Sequence, residues 1–319
     1  MKEFNINKND AGQRLDKFVT KAVPALPKSM MYKYIRSKRI KVNGRRAEIS
    51  TRLGEGDRVQ MYVNDEFFAG KGENELSFTA MPKEISVVYE DGNILLCDKP
   101  SGLVVHEDDR GSTDTLIGRV LRYLYDKGEY DPAGENSFVP ALCNRIDRNT
   151  SGIVICAKNA EALRVLNQKV RDRELEKRYL CVTVGIPQKK SAELKAYCKK
   201  DENEKLVTVR DRPFEGARTM VTRFRVLKEN REKDIALLEV GLVTGRTHQI
   251  RAHLAHIGCP LLGDGKYGDG RVNRAMGVKT QALCSHKLRF AFTTDAGSLA
   301  YLNGREFTAE DPWFLTLFR

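Results

Sequence analysis

Two polar stretches hold most of the side chains able to do chemistry. In the first, Asn144-Arg145-Ile146-Asp147-Arg148-Asn149-Thr150-Ser151-Gly152, one carboxylate stands among arginines, and the segment runs straight into an apolar stretch at 152–157. A loop beside a core strand can show a reactive group to substrate while a rigid scaffold fixes it. On its own, Asp147 reads either as such a group or as part of a structural ion pair, the commoner use of an Asp among arginines. The second stretch is Thr244-Gly245-Arg246-Thr247-His248-Gln249-Ile250-Arg251-Ala252-His253-Leu254-Ala255-His256-Ile257-Gly258. It predicts a helix capped by Thr247, running to about residue 256 and ended by Gly258, with Ile250 and Leu254 toward the core. Its three histidines invite a metal reading. Their spacings of five and three place His248 and His253 about 140° apart on an ideal helix, without an H-x-x-x-H pair, so no metal site is expected. The glycine-rich run 263–270 lacks the spacing of a phosphate loop and a capped helix behind it.

These loops need a scaffold, and from residue 85 onward the sequence supplies strands alternating with helices. Strands are expected at 85–89 and 94–98, joined by Glu90-Asp91-Gly92, and at 152–157, 177–184, 220–227 and 235–243, the last two as a hairpin. Leu116, Val120, Leu121 and Leu124 predict a helix after Thr113, and Leu163, Leu166 and Val170 another after Asn159. The expected class is α+β, with a large domain at 85–319 built on a mostly antiparallel mixed sheet flanked by helices. The polar span 189–213 reads as a solvated elaboration, 64–84 as a linker, and no internal repeat is visible.

Residues 1–63 form a different unit. Leu15, Phe18, Val19 and Ala22 follow helical spacing from 14 to 23, closed by Pro24 and Pro27, and a second helix is expected from Ser29 with Met31 and Ile35 inward. Asn43-Gly44 between strand-like residues is a hairpin signal. This fifth of the chain carries 15 basic and 6 acidic side chains, most of the overall excess of +12, and no acid lies between Lys17 and Arg46. A charge run is often a solvated face, but a compact one-signed field is also a footprint for phosphate.

With 319 residues, 41% hydrophobic and 31% charged, the chain can bury its own cores, and no apolar run suits a membrane span. Seven scattered cysteines without a C-x-x-C pair, and an N-terminus without an apolar stretch, point to a reducing cytoplasm and away from a zinc ribbon.

The separate pieces resemble one family. Residues 144–152 are similar to the H-R-L-D-R-x-T-S-G signature of the RluA-type pseudouridine synthases, Lys177-Arg178-Tyr179 to their K-x-Y segment, and 245–253 to their G-R-T-H-Q-I-R-x-H element. Further matches run from Asp98-Lys99-Pro100-Ser101-Gly102 to Cys284-Ser285-His286-Lys287. Residues 13–63 resemble the S-four-type RNA-binding module. One departure is Asn144, where the family usually has His.

The resemblance implies an isomerase that detaches uracil from ribose at nitrogen, turns it, and rejoins it through carbon, with neither cofactor nor metal. It implies that Asp147 is the essential carboxylate, which could stabilise, attack or assist proton movement at the sugar. Arg251 becomes its fixed cation, pairing bidentately, and Tyr179 the pocket aromatic beneath the base. Arg145 either fills the gap left by an unstacked uridine or contacts phosphate. Substrate contacts are further expected from Asn144, Arg148, Thr150, Arg246, His248 and Gln249. RNA contacts are expected from Lys28, Lys33, Arg36, Lys38, Arg39, Lys41, Arg45 and Arg46. The partner would be structured RNA, ribosomal above all, bound by a monomer. The rival readings are a non-catalytic RNA-binding or assembly protein that keeps the fold, and a nucleoside hydrolase.

Overall fold

The computed structural model describes residues 1–68, 76–107, 111–201 and 206–319. Near the N-terminus, β1 (Lys2–Asn5), α1 (Leu15–Ala22), α2 (Lys28–Arg36), β2 (Ile40–Val42), β3 (Arg45–Arg46) and β4 (Arg58–Met61) make two helices on a four-stranded sheet of order β1-β4-β2-β3. Leu15, Phe18, Val19, Met31, Ile35, Ile40, Val59 and Met61 close its core. The β2–β3 turn places Asn43 and Gly44 both at positive φ, the backbone that a two-residue hairpin requires. Ser29 lies inside α2 and does not cap it. Pro27 stands at that position, where its fixed φ suits a helix start.

Beyond it, β5 (Ser86–Glu90), β6 (Ile94–Lys99), α3 (Leu116–Asp126), β7 (Ala141–Leu142), β8 (Ser151–Ala157), α4 (Ala160–Arg171), β9 (Leu175–Val184), β10 (Ser191–Lys200), β11 (Val207–Arg210), β12 (Arg218–Asn230), β13 (Ile235–Leu242), α5 (Gln249–His256), α6 (Gly270–Ala275), β14 (Leu283–Phe290) and β15 (Glu306–Thr308) follow. Eleven strands form one sheet of order β11-β10-β12-β13-β9-β14-β8-β6-β5, with β7 beside β8 and β15 beside β14. Among the described residues every pairing between these strands is antiparallel except β8 with β14. The fold is thus the α+β arrangement expected. The span 189–213 corrects the reading of a solvated elaboration, because β10 and β11 extend the sheet and bury Ala196, Cys198 and Val207.

From Gly152 onward β8 is apolar because both its faces are covered. Ile153, Ile155 and Ala157 pack with Leu166 of α4, Phe290 and Phe314, whereas Val154 and Cys156 pack with Leu116, Val120 and Leu124 of α3. On the α3 face, further along the sheet, Tyr179 and Cys181 of β9 meet Ile250 and Leu254 of α5. The helices after 113 and 159 are capped by Thr115 and Asn159, whose side chains accept from Gly118 N and Ala162 N. All seven cysteines are free thiols, six of them buried. No helix of the described residues is long and apolar enough to cross a membrane.

Candidate active site

The loop between β7 and β8 sits in the seam between the α3 and α5 cores, and Ile146 packs against both. Several ties fix it. Gly102 N donates to Arg148 O, Ser101 Oγ to Asn149 O, and Thr150 N to Asp147 O. Lys99, wholly buried at the end of β6, donates to the carbonyls of Pro100, Leu103 and Arg148 at 2.7–2.9 Å, using all three ammonium protons to clamp two loops together. Burial pushes its pKa down to about 7, and the Asp147 charge opposes that shift. Gly152 has φ 104°, and a Cβ there would lie 2.4 Å from Ser285 O, so β8 and β14 approach closely enough that only glycine fits.

Asp147 emerges with its side chain about one-third exposed, and its Oδ2 accepts from Arg251 Nη1 at 2.7 Å. Arg251, nine-tenths buried on α5, gives its other edge to a carboxylate not singled out in the sequence: Nε and Nη2 donate to Asp264 Oδ2 and Oδ1 at 2.7 and 2.9 Å. The expected bidentate pair therefore goes to Asp264, and Asp147 receives a single contact that leaves Oδ1 outside the ion pair. The two carboxylates hold the guanidinium charged against the cost of burial, and its pKa moves up. Asp264 also accepts from Lys266 N and Tyr267 N, so the turn around it is closed by its own backbone.

Tyr267 places its ring near the Arg251 guanidinium, accepts from Val207 N through its hydroxyl, and shares a second hydrogen bond with His248 Nδ1 at 2.9 Å. His248 Nε2, on the other side of the ring, lies 3.9 Å from Asp147 Oδ2. Burial lowers the His248 pKa, with Asp147 opposing it. His248 has φ 49°, a left-handed backbone for a non-glycine residue. It replaces Thr247 as the residue before α5 and makes no side-chain cap. Tyr179, buried on β9, shares a hydrogen bond with Ser285, and burial next to Asp147 pushes its phenol up to about 12, so it is a neutral hydroxyl at ordinary pH.

The remaining expected residues divide. Arg145 is exposed on the loop, Arg148 donates to Ser112 Oγ, and Arg246 donates to Thr219 O. Asn144, Thr150 and Gln249 are buried, and their side chains are hydrogen-bonded within the protein. Asn144 Oδ1 accepts from Ile155 N and its Nδ2 donates to Ile153 O, bracing β8. Thr150 Oγ1 accepts from Gln281. Gln249 accepts from Thr244 Oγ1 and Arg246 N, and donates to Val221 O and Thr222 Oγ1. The three histidines diverge, His248 to Tyr267, His253 to Thr222 and His256 to Asp211. Asp264 and Tyr267 escape a sequence reading that weighs their run only as a phosphate loop. The glycines themselves are the signal, since a Cβ at Gly263 would lie 2.1 Å from Thr280 O and one at Gly268 2.5 Å from Asp264 O.

On the module, Lys28, Lys33, Arg36, Lys38, Arg39, Arg45 and Arg46 are exposed. Lys41 is half-buried, with its Nζ 5.4 Å from the Tyr62 ring centre.

A carboxylate with one oxygen steered by a buried cation, a neutral phenol behind it and a clamped loop in front can balance positive charge on a substrate and exchange protons beside it. Comparison with known proteins agrees with this chemistry. Residues 93–256 match the RNA pseudouridylate synthase family and residues 13–59 the S4 domain. An uncharacterized RNA pseudouridine synthase of Mycoplasma genitalium is 34% identical, over 90% of this chain and 88% of its own. Proteins named ribosomal large subunit pseudouridine synthase C are each 32% identical, that of Rickettsia conorii over 81% of this chain and 83% of its own, that of Haemophilus ducreyi over 90% and 87%. The solved structure of human RNA pseudouridylate synthase domain containing 1 shares the fold, with a TM-score of 0.58 over 74% of this chain and 86% of that one, at 22% identity. The chain belongs to the RNA pseudouridylate synthase family, of RluA type with an N-terminal S4 domain, and is an isomerase that acts on RNA.

Proposed function

We propose that this enzyme converts uridines of large-subunit ribosomal RNA to pseudouridine in the cytoplasm, as a monomer without metal or cofactor, with residues 1–63 gripping RNA, 64–84 connecting and 85–319 catalysing. The observation that carries the reading is the 2.7 Å contact from Arg251 to Asp147, which aims one carboxylate oxygen and leaves the other for substrate. The ribosomal target is supported by the names of the Rickettsia and Haemophilus relatives.

In this reading Asp147 supplies the negative charge against which the bond between ribose and uracil nitrogen breaks. Arg251 keeps that carboxylate ionised and oriented, and Tyr179 lies against the base, its neutral hydroxyl placed to handle the proton displaced when carbon takes the new bond. Arg145 stands at the loop tip, where a uridine must leave its stack. Bond breaking and bond making balance within one nucleotide, so no oxidant, reductant or energy source enters.

The test is pseudouridine mapping of total RNA from cells with the gene, without it, and with Asp147→Asn. Large-subunit sites that disappear in the second and third strains support the reading. Disappearance confined to transfer RNA, or no change at all, overturns the ribosomal assignment.

A further inference from the structure

The N-terminal module is tied to the catalytic domain by a set of polar contacts that no step of the chemistry uses. Its turn at 7–13 faces residues 135–137, which lie between α3 and β7, and the start of α4. Asp10 has no exposed surface, and its carboxylate accepts from Asn136 Nδ2 and Ser137 Oγ, each at 2.6 Å. Asn136 also donates to Asn5 O, and Gln13 Nε2 donates to Ser137 Oγ. Asn7 and Asn9 both donate to Glu135. Asn9 Oδ1 then accepts from Ala160 N, one of the donors left open in the first turn of α4, and Arg164 Nη1 donates to Ala11 O. Asp10 is therefore a buried carboxylate with partners on both the module and the catalytic domain, and removing those partners while the contact stays closed would leave it desolvated and unsatisfied.

This contact also shapes a channel. Lys21 and Pro24 of the module line one groove of about 540 Å³ with His106, Thr113 and Ile117 of the catalytic domain. Burial lowers the His106 pKa, and the charge of Arg145 on the Asp147 loop lowers it further. The groove thus has walls from both the basic module and the catalytic domain.

We propose that the 7–13 turn and the 135–137 loop form a docking clasp that fixes the module against the catalytic domain, so that one folded RNA must fit both at a set spacing. The inference rests on the RNA-modifying function proposed above and adds how target choice is made. A module on a loose tether raises local RNA concentration for any uridine in reach, whereas a docked one rewards only RNAs whose geometry matches both surfaces and loses less freedom on binding them. The clasp joins neutral amides, hydroxyls and carbonyls with two carboxylates and one guanidinium.

The test uses the full chain with spin labels at Glu55→Cys in the module and Glu232→Cys in the catalytic domain, both exposed. The disrupting variants are Asn136→Ala with Ser137→Ala, which leave the module's own turn intact, and Asp10→Ala as a second variant from the other side. A narrow distance distribution in the parent chain that broadens in the variants is the expected result. Turnover of a short hairpin carrying the target uridine should stay within about twofold. Efficiency on a full-length large-subunit RNA transcript should fall about tenfold or more, the scale of a forfeited effective concentration, with new uridines modified. A distribution already broad in the parent chain overturns the clasp, as does unchanged efficiency and site choice once the variants have broadened it. If the parent chain modifies neither RNA, the substrate assignment fails while the distance measurement still decides the docking.

Discussion

On α2 and the turn after it, Lys28, Lys33, Arg36 and Lys38 stand in solvent with no acidic partner among the described residues. On α5, Arg251 is nine-tenths buried and shared between two carboxylates. The same kind of charge serves two ends. Exposed cations cost the fold little, are screened by salt and act on phosphate as a sum. A buried cation acts on one atom at one distance, and its removal strands its partners. Each region can be tested by asking whether single charges matter there or only their number.

The largest effect is expected at Asp147. Asp147→Asn keeps volume and removes the charge, so isomerisation should fall below detection, at least about a thousandfold, while RNA affinity and melting temperature stay near those of the parent. Pseudouridine formed by the purified variant at more than a few percent of the parent rate would take Asp147 out of the reaction.

Arg251→Ala should come next and act on two quantities. Asp264 would be left buried without its cation, a loss of about 3–5 kcal/mol in stability, and turnover should drop by two orders of magnitude or more. Arg271→Ala, on an exposed arginine, should move stability by less than about 0.5 kcal/mol. Asp264→Asn should reproduce the kinetic loss with RNA binding unchanged. Denaturant melts with single-turnover rates decide it, and equal effects at 251 and 271 would erase the contrast between regions.

Tyr179→Phe retains the ring and removes the hydroxyl. RNA binding should change by less than about threefold and the single-turnover rate should fall about a hundredfold, within the range of a missing proton-transfer group. An unchanged rate would leave Tyr179 with stacking alone.

A buried imidazole gives a pH signature. His253 is almost fully buried, and burial lowers its pKa to about 4 from the ordinary 6.5. The unfolded chain therefore binds a proton between those values that the folded chain refuses, so stability is full above pH 6.5 and declines as pH falls toward 4, by about 3 kcal/mol from this residue. His253→Gln should flatten that part of the stability profile, as measured by melts from pH 7 to 4.

Much of this is legible in the sequence, and what is not has physical causes. Asp147 and Arg251 can be found because each lies in a run whose residue order is distinctive. Asp264 cannot, because its function is a hydrogen bond to a residue 13 positions earlier, which no local pattern encodes. The roles of Asn144, Thr150 and Gln249 are harder to read, because polar residues in such a run look alike whether they face substrate or brace a strand, and here all three side chains are buried and hydrogen-bonded within the protein. β10 is hidden by its lysines, although Ala192, Leu194, Ala196 and Cys198 keep the two-residue period of a half-buried strand.

The smallest effect should come from the module. Lys33 and Arg36 on α2 are exposed, so replacing both by Ala should leave the melting temperature unchanged and alter turnover of a short hairpin little. What should change is the response of RNA binding to salt. Every phosphate that goes unneutralised lowers the slope of log affinity against log salt by about 0.7–0.9, so a double variant that leaves two phosphates bare should flatten it by about 1.5. The two substitutions should also add, because charges that act through a shared field have no single partner to strand, whereas Arg251 and Asp264 should not add. A slope that stays put would make this face of α2 a solvated surface and shift phosphate binding to Arg39, Lys41, Arg45 and Arg46 on the β2–β3 hairpin and the turn before it.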